Sequence, residues 1–167
     1  ERKKLPNENE LEWQQYTGKR VSTNDIDSFI NTTSNETLKQ FYSQVDKNKT
    51  IVWPVLFRDN SMTKYFKETR DIEALGYIMF AKQCEGLSNI PADSWELPIV
   101  DTLQVSRLLK NGKQLFVAAK KSFIKERYLF QLIKTAFYGK RFQDVIRLFD
   151  ENYENFKHDF SSVDRRI

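Results

Sequence analysis

At 167 residues, 40% hydrophobic and 30% charged, the chain is long enough for one substantial core and too short for three domains. Its mean hydropathy of -0.64, with no apolar run near the roughly 20 residues a spanning helix needs, excludes a membrane span in this segment. One cysteine, Cys84, excludes an internal disulfide, and one histidine, His158, excludes a multi-histidine metal site; the formal net charge is +4.

Aromatic residues reach 14%, with 13 Phe, 7 Tyr and 3 Trp, while Gly totals 5 and Pro 4. Many ring side chains with few turn residues predict long helices packed on one another, because a many-stranded sheet needs frequent turns. The predicted fold is all-α: packed helical hairpins in a single helical domain, 1–167, with an irregular N-terminal part. The polar opening "ERKKLPNENE" carries neither an initiator Met nor an apolar leader, so the chain reads as a piece of something longer.

Residues 1–10 read as a disordered or frayed end, and 11–89 as the N-terminal helices. "NELEWQQYTG" predicts a short helix with Leu11 and Tyr16 on related faces and Gly18 as its stop. In "VSTNDIDSFIN", Ser22 or Thr23 caps a second helix bearing Ile26, Phe29 and Ile30. Thr33 and Glu36 match a capping box for a third, whose stripe is Leu38, Phe41, Tyr42 and Val45. Pro54 then predicts an extended connector over Ile51 to Phe57, its apolar side chains tucked onto the core. Helix resumes after Asn60 or Ser61 and, with a break near Thr69, runs to Cys84. "IPADSWELP", 90–98, is the clearest loop, with Trp95 as a buried anchor.

The part from 99 to 157 holds three helices: Thr102 to Asn111, or on through Gly112 to Lys121; Ser122 to Tyr138; and Phe142 to Phe156. The last carries Phe142, Val145, Ile146, Phe149, Tyr153 and Phe156 on one stripe, predicting one core face and one wet face. The helix before it is apolar nearly all round, as is "EALGYIMFA" from Glu73 to Ala81, so both must be covered on several sides.

"LIKTAFYGKRFQDVIRLF" resembles a tetratricopeptide repeat. Leu132 and Ile133 stand at the Leu-Gly pair of the first arm, Ala136 three beyond, and Phe142 is the aromatic opening the second arm, with Val145, Ile146 and Phe149 at its inner positions. Ile133 replaces the usual glycine, Val145 the usual alanine, and no proline closes the unit after Tyr153. The resemblance covers 123–157 and implies a TPR-like α-α hairpin with a tight turn at Gly139 and a ring plugged between the arms. More loosely, "RYLFQLIKTAFYGKRFQDVIRLFDE" with "LEWQQYTGKRVSTNDIDSFI" is similar to parts of large, mostly uncharacterised helical proteins of Bacteroidetes cell envelopes. That likeness implies a cell-envelope or periplasmic location and brings no catalytic residues.

Candidate chemistry is sparse. Cys84 and His158 form a formal nucleophilic pair, but a cysteine following an apolar helix reads as a core filler. Carboxylate pairs such as Glu8 with Glu10, or Glu68 with Asp71, read as solvated helix faces, and "GKR" at Gly139 lacks the preceding glycine and strand of a phosphate loop. The expectation is a non-catalytic protein without cofactor or metal.

Two binding features stand out. From Arg107 to Arg147, eleven Lys and Arg face two acids, a net of +9 against -5 for the remainder, so region 107–147 could meet nucleic acid or another anionic polymer. Arg127, Gln131, Lys134 and Tyr138, at i, i+4, i+7 and i+11, form a polar wedge on an otherwise apolar helix. One reading has the wedge lining a concave face and offering donors to a protein or peptide partner; the other makes it an internal polar seam in which Arg127 pairs with Asp144 or another carboxylate.

Overall fold

A computed structural model describes residues 5–47, 50–88 and 100–156. Every regular element among these described residues is helical: α1 (Glu8–Tyr16), α2 (Thr23–Asp27) running into a wide π turn at Ser28–Thr32, α3 (Asn35–Lys47), α4 (Val55–Asp59), α5 (Ser61–Thr69), α6 (Ile72–Ser88), α7 (Thr102–Ala118), α8 (Ser122–Tyr138) and α9 (Phe142–Phe156). The fold is all-α with packed helical hairpins. Two compact units, 1–79 and 80–167, divide the chain within α6.

In the first unit, local hydrogen bonding sets each helix start. Helix α1 begins at Glu8, ahead of the expected Leu11, because Asn7 and Glu10 form a capping box: Asn7 Oδ1 accepts from Glu10 N (2.9 Å) and Glu10 Oε2 from Asn7 N (3.1 Å). Gly18, at φ 65°, ends the segment in the left-handed conformation glycine favours. Trp13 is the buried hydrophobic residue of α1 and Glu10 is buried with it, whereas Leu11 is exposed. The cap of α3 is Ser34, whose Oγ accepts from Thr37 N (3.1 Å), so the Thr33 box is displaced by one residue.

The connector is extended only as far as Pro54, since proline fits just ahead of a first helical turn and Val55 to Asp59 coil into α4. Its apolar residues divide. Trp53 and Phe57 join Phe29 and Phe41 in a ring cluster with centroid separations of 5.0–6.0 Å, and Trp53 Nε1 donates to Gln44 Oε1 (2.5 Å). Val52 and Leu56 face water. Left-handed Arg70 marks the break after Thr69, and Asp71 restarts the helix by accepting from Ala74 N (3.2 Å). The Asp71 carboxylate also takes the Tyr16 hydroxyl (Oδ2, 2.5 Å), and burial followed by that bond pushes the phenol far above its ordinary range.

The second unit contains the latter half of α6 with α7, α8 and α9. Its core joins Val105 and Leu109 of α7, Leu129, Leu132 and Ala136 of α8, and Leu148 of α9. Helix α8 packs against both α7 and α9, which is why its apolar residues run nearly all round. Asp101 caps α7 through Gln104 N (2.9 Å), and the helix continues through Gly112 as the longer alternative requires. Two glycines make room for this packing. A Cβ on Gly112 would lie 2.5 Å from Phe80 Cζ and 2.7 Å from Leu132 Cδ2; one on Gly139 would lie 2.5 Å from Val105 Cγ1. The left-handed residue of the α8–α9 turn is Lys140, at φ 56°, so Gly139 is required for close approach to α7 rather than for backbone freedom. The 90–98 loop with Trp95, and His158, lie outside the described residues.

Candidate functional site

The bounds of α8 and α9 fall where the sequence places them, but α9 is rotated from expectation. Apolar residues on α9 span an arc of about 160° at 100° per residue, from Leu148 round to Ile146, and α8 covers only part of it. Leu148 is buried, Val145 half-buried, and Asp144 also turns inward. Phe142, expected as the plug between the arms, and Ile146 and Phe149, expected on the inner side, are instead 55%, 54% and 39% exposed, as is Tyr153 at 42%. Phe137, at the end of α8, extends the strip at 55% exposure, with its ring 6.0 Å from that of Phe142.

Asp144 accounts for the rotation. Its carboxylate accepts from Arg141 Nε (2.6 Å) and from Arg147 Nη2, one cation on each side along the chain. Arg141 also donates to Ser106 Oγ on α7 (3.2 Å). Because the carboxylate is fully engaged it can point inward, and the apolar arc moves sideways to compensate. Asp144, the carboxylate named as one candidate for Arg127, is paired with Arg141 and Arg147.

The four wedge residues separate by depth. Arg127 and Gln131 are buried, and Lys134 and Tyr138 are half-buried. The Arg127 guanidinium lies 4.3 Å from the Phe123 ring centroid, a cation–π contact within its own helix, and Lys134 Nζ is 6.0 Å from the Tyr138 ring. Gln131 and Thr135 present polar side chains to the Cys84 thiol of α6. Burial, only partly opposed by these polar neighbours and Lys134, pushes the thiol up, which disfavours the thiolate a nucleophile needs. The inner half of the wedge thus forms a seam between α6 and α8, and only Lys134 and Tyr138 reach its wet edge.

Cations of the 107–147 region are dispersed. Arg107 and Lys110 are exposed on α7, Lys120 and Lys121 lie in the turn before α8, and Arg141 and Arg147 are engaged by Asp144. Among the described residues no cluster of three His, Cys, Asp or Glu side chains could hold a metal ion, and no helix is long and apolar enough to cross a membrane.

The strip of Phe137, Phe142 and Ile146 is the feature that sequence reasoning missed. Positions 142, 146, 149 and 153, four, three and four residues apart, have the a/d spacing of a helix seam, but Val145 and Leu148 widen the same arc to that of a core face, so periodicity did not separate the two. Comparisons of the chain with protein-family models, curated proteins and solved structures find no match.

Proposed function

We propose that the chain is a non-catalytic helical-repeat module that binds or scaffolds a protein or peptide partner. The observation that carries this reading is the exposed apolar strip on α9 and the end of α8. An array of bulky apolar residues left in water is costly unless something covers it, at about 25 cal/mol for each Å². Its residues are rigidly mounted on a hairpin whose opposite side is a packed core, so the strip is preorganised for a helical or extended apolar ligand. Lys134 and Tyr138, at the wet edge of the wedge, supply polar contacts beside it. Dispersed cations favour this reading over an anionic polymer, which calls for a continuous basic track.

The test compares proteins retained from an extract of the native source by the wild-type chain, by Phe142→Glu/Ile146→Glu, and by Lys134→Glu/Tyr138→Ala. Loss of specific partners with the first double variant, at unchanged helicity, is the expected result. An identical retained set in all three refutes the reading. Retention that instead falls steeply with salt and is abolished by nuclease transfers the function to nucleic acid through 107–147.

A further inference from the structure

Resting on that binding-module reading, the geometry points to a specific occupant for the strip: we infer that α9 pairs antiparallel with α9 of a second copy of this chain. Three observations select it.

The first is spacing. Phe142, Ile146, Phe149 and Tyr153 are four, three and four residues apart, the alternation of a and d positions with which one helix interlocks with another along its length. A flat or irregular surface imposes no such period. A seam with this repeat is complementary to itself, as an isologous two-fold contact demands.

The second is charge. Lys140 is exposed at the turn end of the hairpin, whereas Asp150 is exposed further along α9, on the flank of the strip. Two copies running antiparallel bring the Lys140 end of each towards the Asp150 side of the other and oppose the helix dipoles favourably; a parallel pair would juxtapose like charges. In antiparallel register, with Ile146 facing Phe149 of the copy, Phe142 faces Tyr153, so each step of the seam meets an apolar side chain.

The third is area. At about 200 Å² for a full large side chain, the exposed fractions of Phe137, Phe142, Ile146, Phe149 and Tyr153 present about 500 Å². A two-fold contact removes twice that, about 1,000 Å², the lower bound for a specific interface. The expected pair is therefore concentration-dependent, with dissociation in the micromolar range.

Sedimentation of the full chain over about 1 to 200 μM brackets that range. The average mass is expected to rise from 19.9 kDa towards its double as concentration increases. Ile146→Glu should weaken association at least tenfold, while Leu103→Glu, at an exposed apolar site on α7, should leave it unchanged. Orientation is read from cysteine variants under mild oxidation. In the antiparallel register Ile146→Cys stands about 4.5 Å along the axis from its own copy and cross-links, whereas Phe142→Cys stands about 16 Å away and does not. A monomer at every concentration, a dimer indifferent to Ile146→Glu, or efficient cross-linking through Phe142→Cys overturns the inference. If the chain is monomeric but Phe142→Glu/Ile146→Glu still loses its captured partners, the binding-module reading survives with a different helix in the seam. If those partners are also retained, both readings fall.

Discussion

Substituting alanine at Gly112 and at Gly86 makes the same chemical change in two helices, with opposite expected effects. Glycine in a helix interior costs about 1 kcal/mol relative to alanine, from the backbone entropy it loses on folding. At Gly86, on the exposed side of α6, an added Cβ meets nothing within 4 Å, so Gly86→Ala should recover most of that and stabilise the protein by about 0.5–1 kcal/mol. At Gly112 the same methyl would sit 2.5 Å from Phe80 Cζ and 2.7 Å from Leu132 Cδ2, both on buried side chains. Overpacking of this kind costs about 1–3 kcal/mol, which offsets the propensity gain and leaves Gly112→Ala neutral to about 2 kcal/mol destabilised. Urea unfolding followed by far-ultraviolet circular dichroism gives both values, and their difference, about 1–3 kcal/mol, isolates the packing cost. A double variant with Phe80→Leu, which removes Cζ, should recover part of the Gly112→Ala loss, because the two sites share one contact. If Gly112→Ala is as stabilising as Gly86→Ala, the α6–α7–α8 packing described above is wrong.

Three further expectations probe other elements. Leu148→Ala should cost about 2–4 kcal/mol and Ile146→Ala under about 1 kcal/mol in the same urea assay; equal costs would mean that α9 faces the core differently. Tyr16 holds its proton more tightly when folded than when unfolded, so its stabilisation is complete below the ordinary phenol range near 10 and is lost as pH rises above it. Stability measured from pH 8 to 11 should therefore fall less steeply in Tyr16→Phe, and parallel slopes would contradict the Asp71 bond. Cys84, buried and shifted upward, should react with a thiol reagent no faster than the second unit opens, with full reactivity in denaturant; immediate labelling of the native chain would refute its burial.

Helix positions were legible wherever a local signal stood alone. The breaks at Gly18, near Thr69 and at Gly139 each carry a residue or cap that ends a helix, and α8 and α9 begin and end as their periodicity requires. Where two signals were equivalent, the sequence left the choice open. Thr33 and Ser34 are both capping hydroxyls, and only the backbone geometry selects Ser34. The orientation of α9 was illegible for a different reason: periodicity defines an apolar arc, but the neighbour that covers part of it is set by tertiary packing. Asp144 lies on the inward side of α9, paired there with two arginines that stay largely exposed, and Phe142 and Ile146 are at the surface. The wedge was visible as a polar line on α8, while its depth depended on Cys84 approaching from a helix about fifty residues away in sequence.

The wide turn at Ser28–Thr32 accommodates one residue more than an α-helix of the same length would, and its side chains mend the loosened backbone, with Thr32 Oγ1 donating to Ser28 O (2.6 Å) and Asn31 Nδ2 to Asp27 Oδ1 (2.5 Å). Such a bulge is a reservoir of slack. Excising exposed Asn31 would let the segment tighten into ordinary α geometry with Ile26 and Phe29 undisturbed on its upstream side. A one-residue excision within α8 has no slack to draw on and would swing everything beyond it by about 100°, turning Leu132 or Ala136 out of the core. Length variation among natural versions of this chain should therefore collect at the bulge and avoid the hairpin.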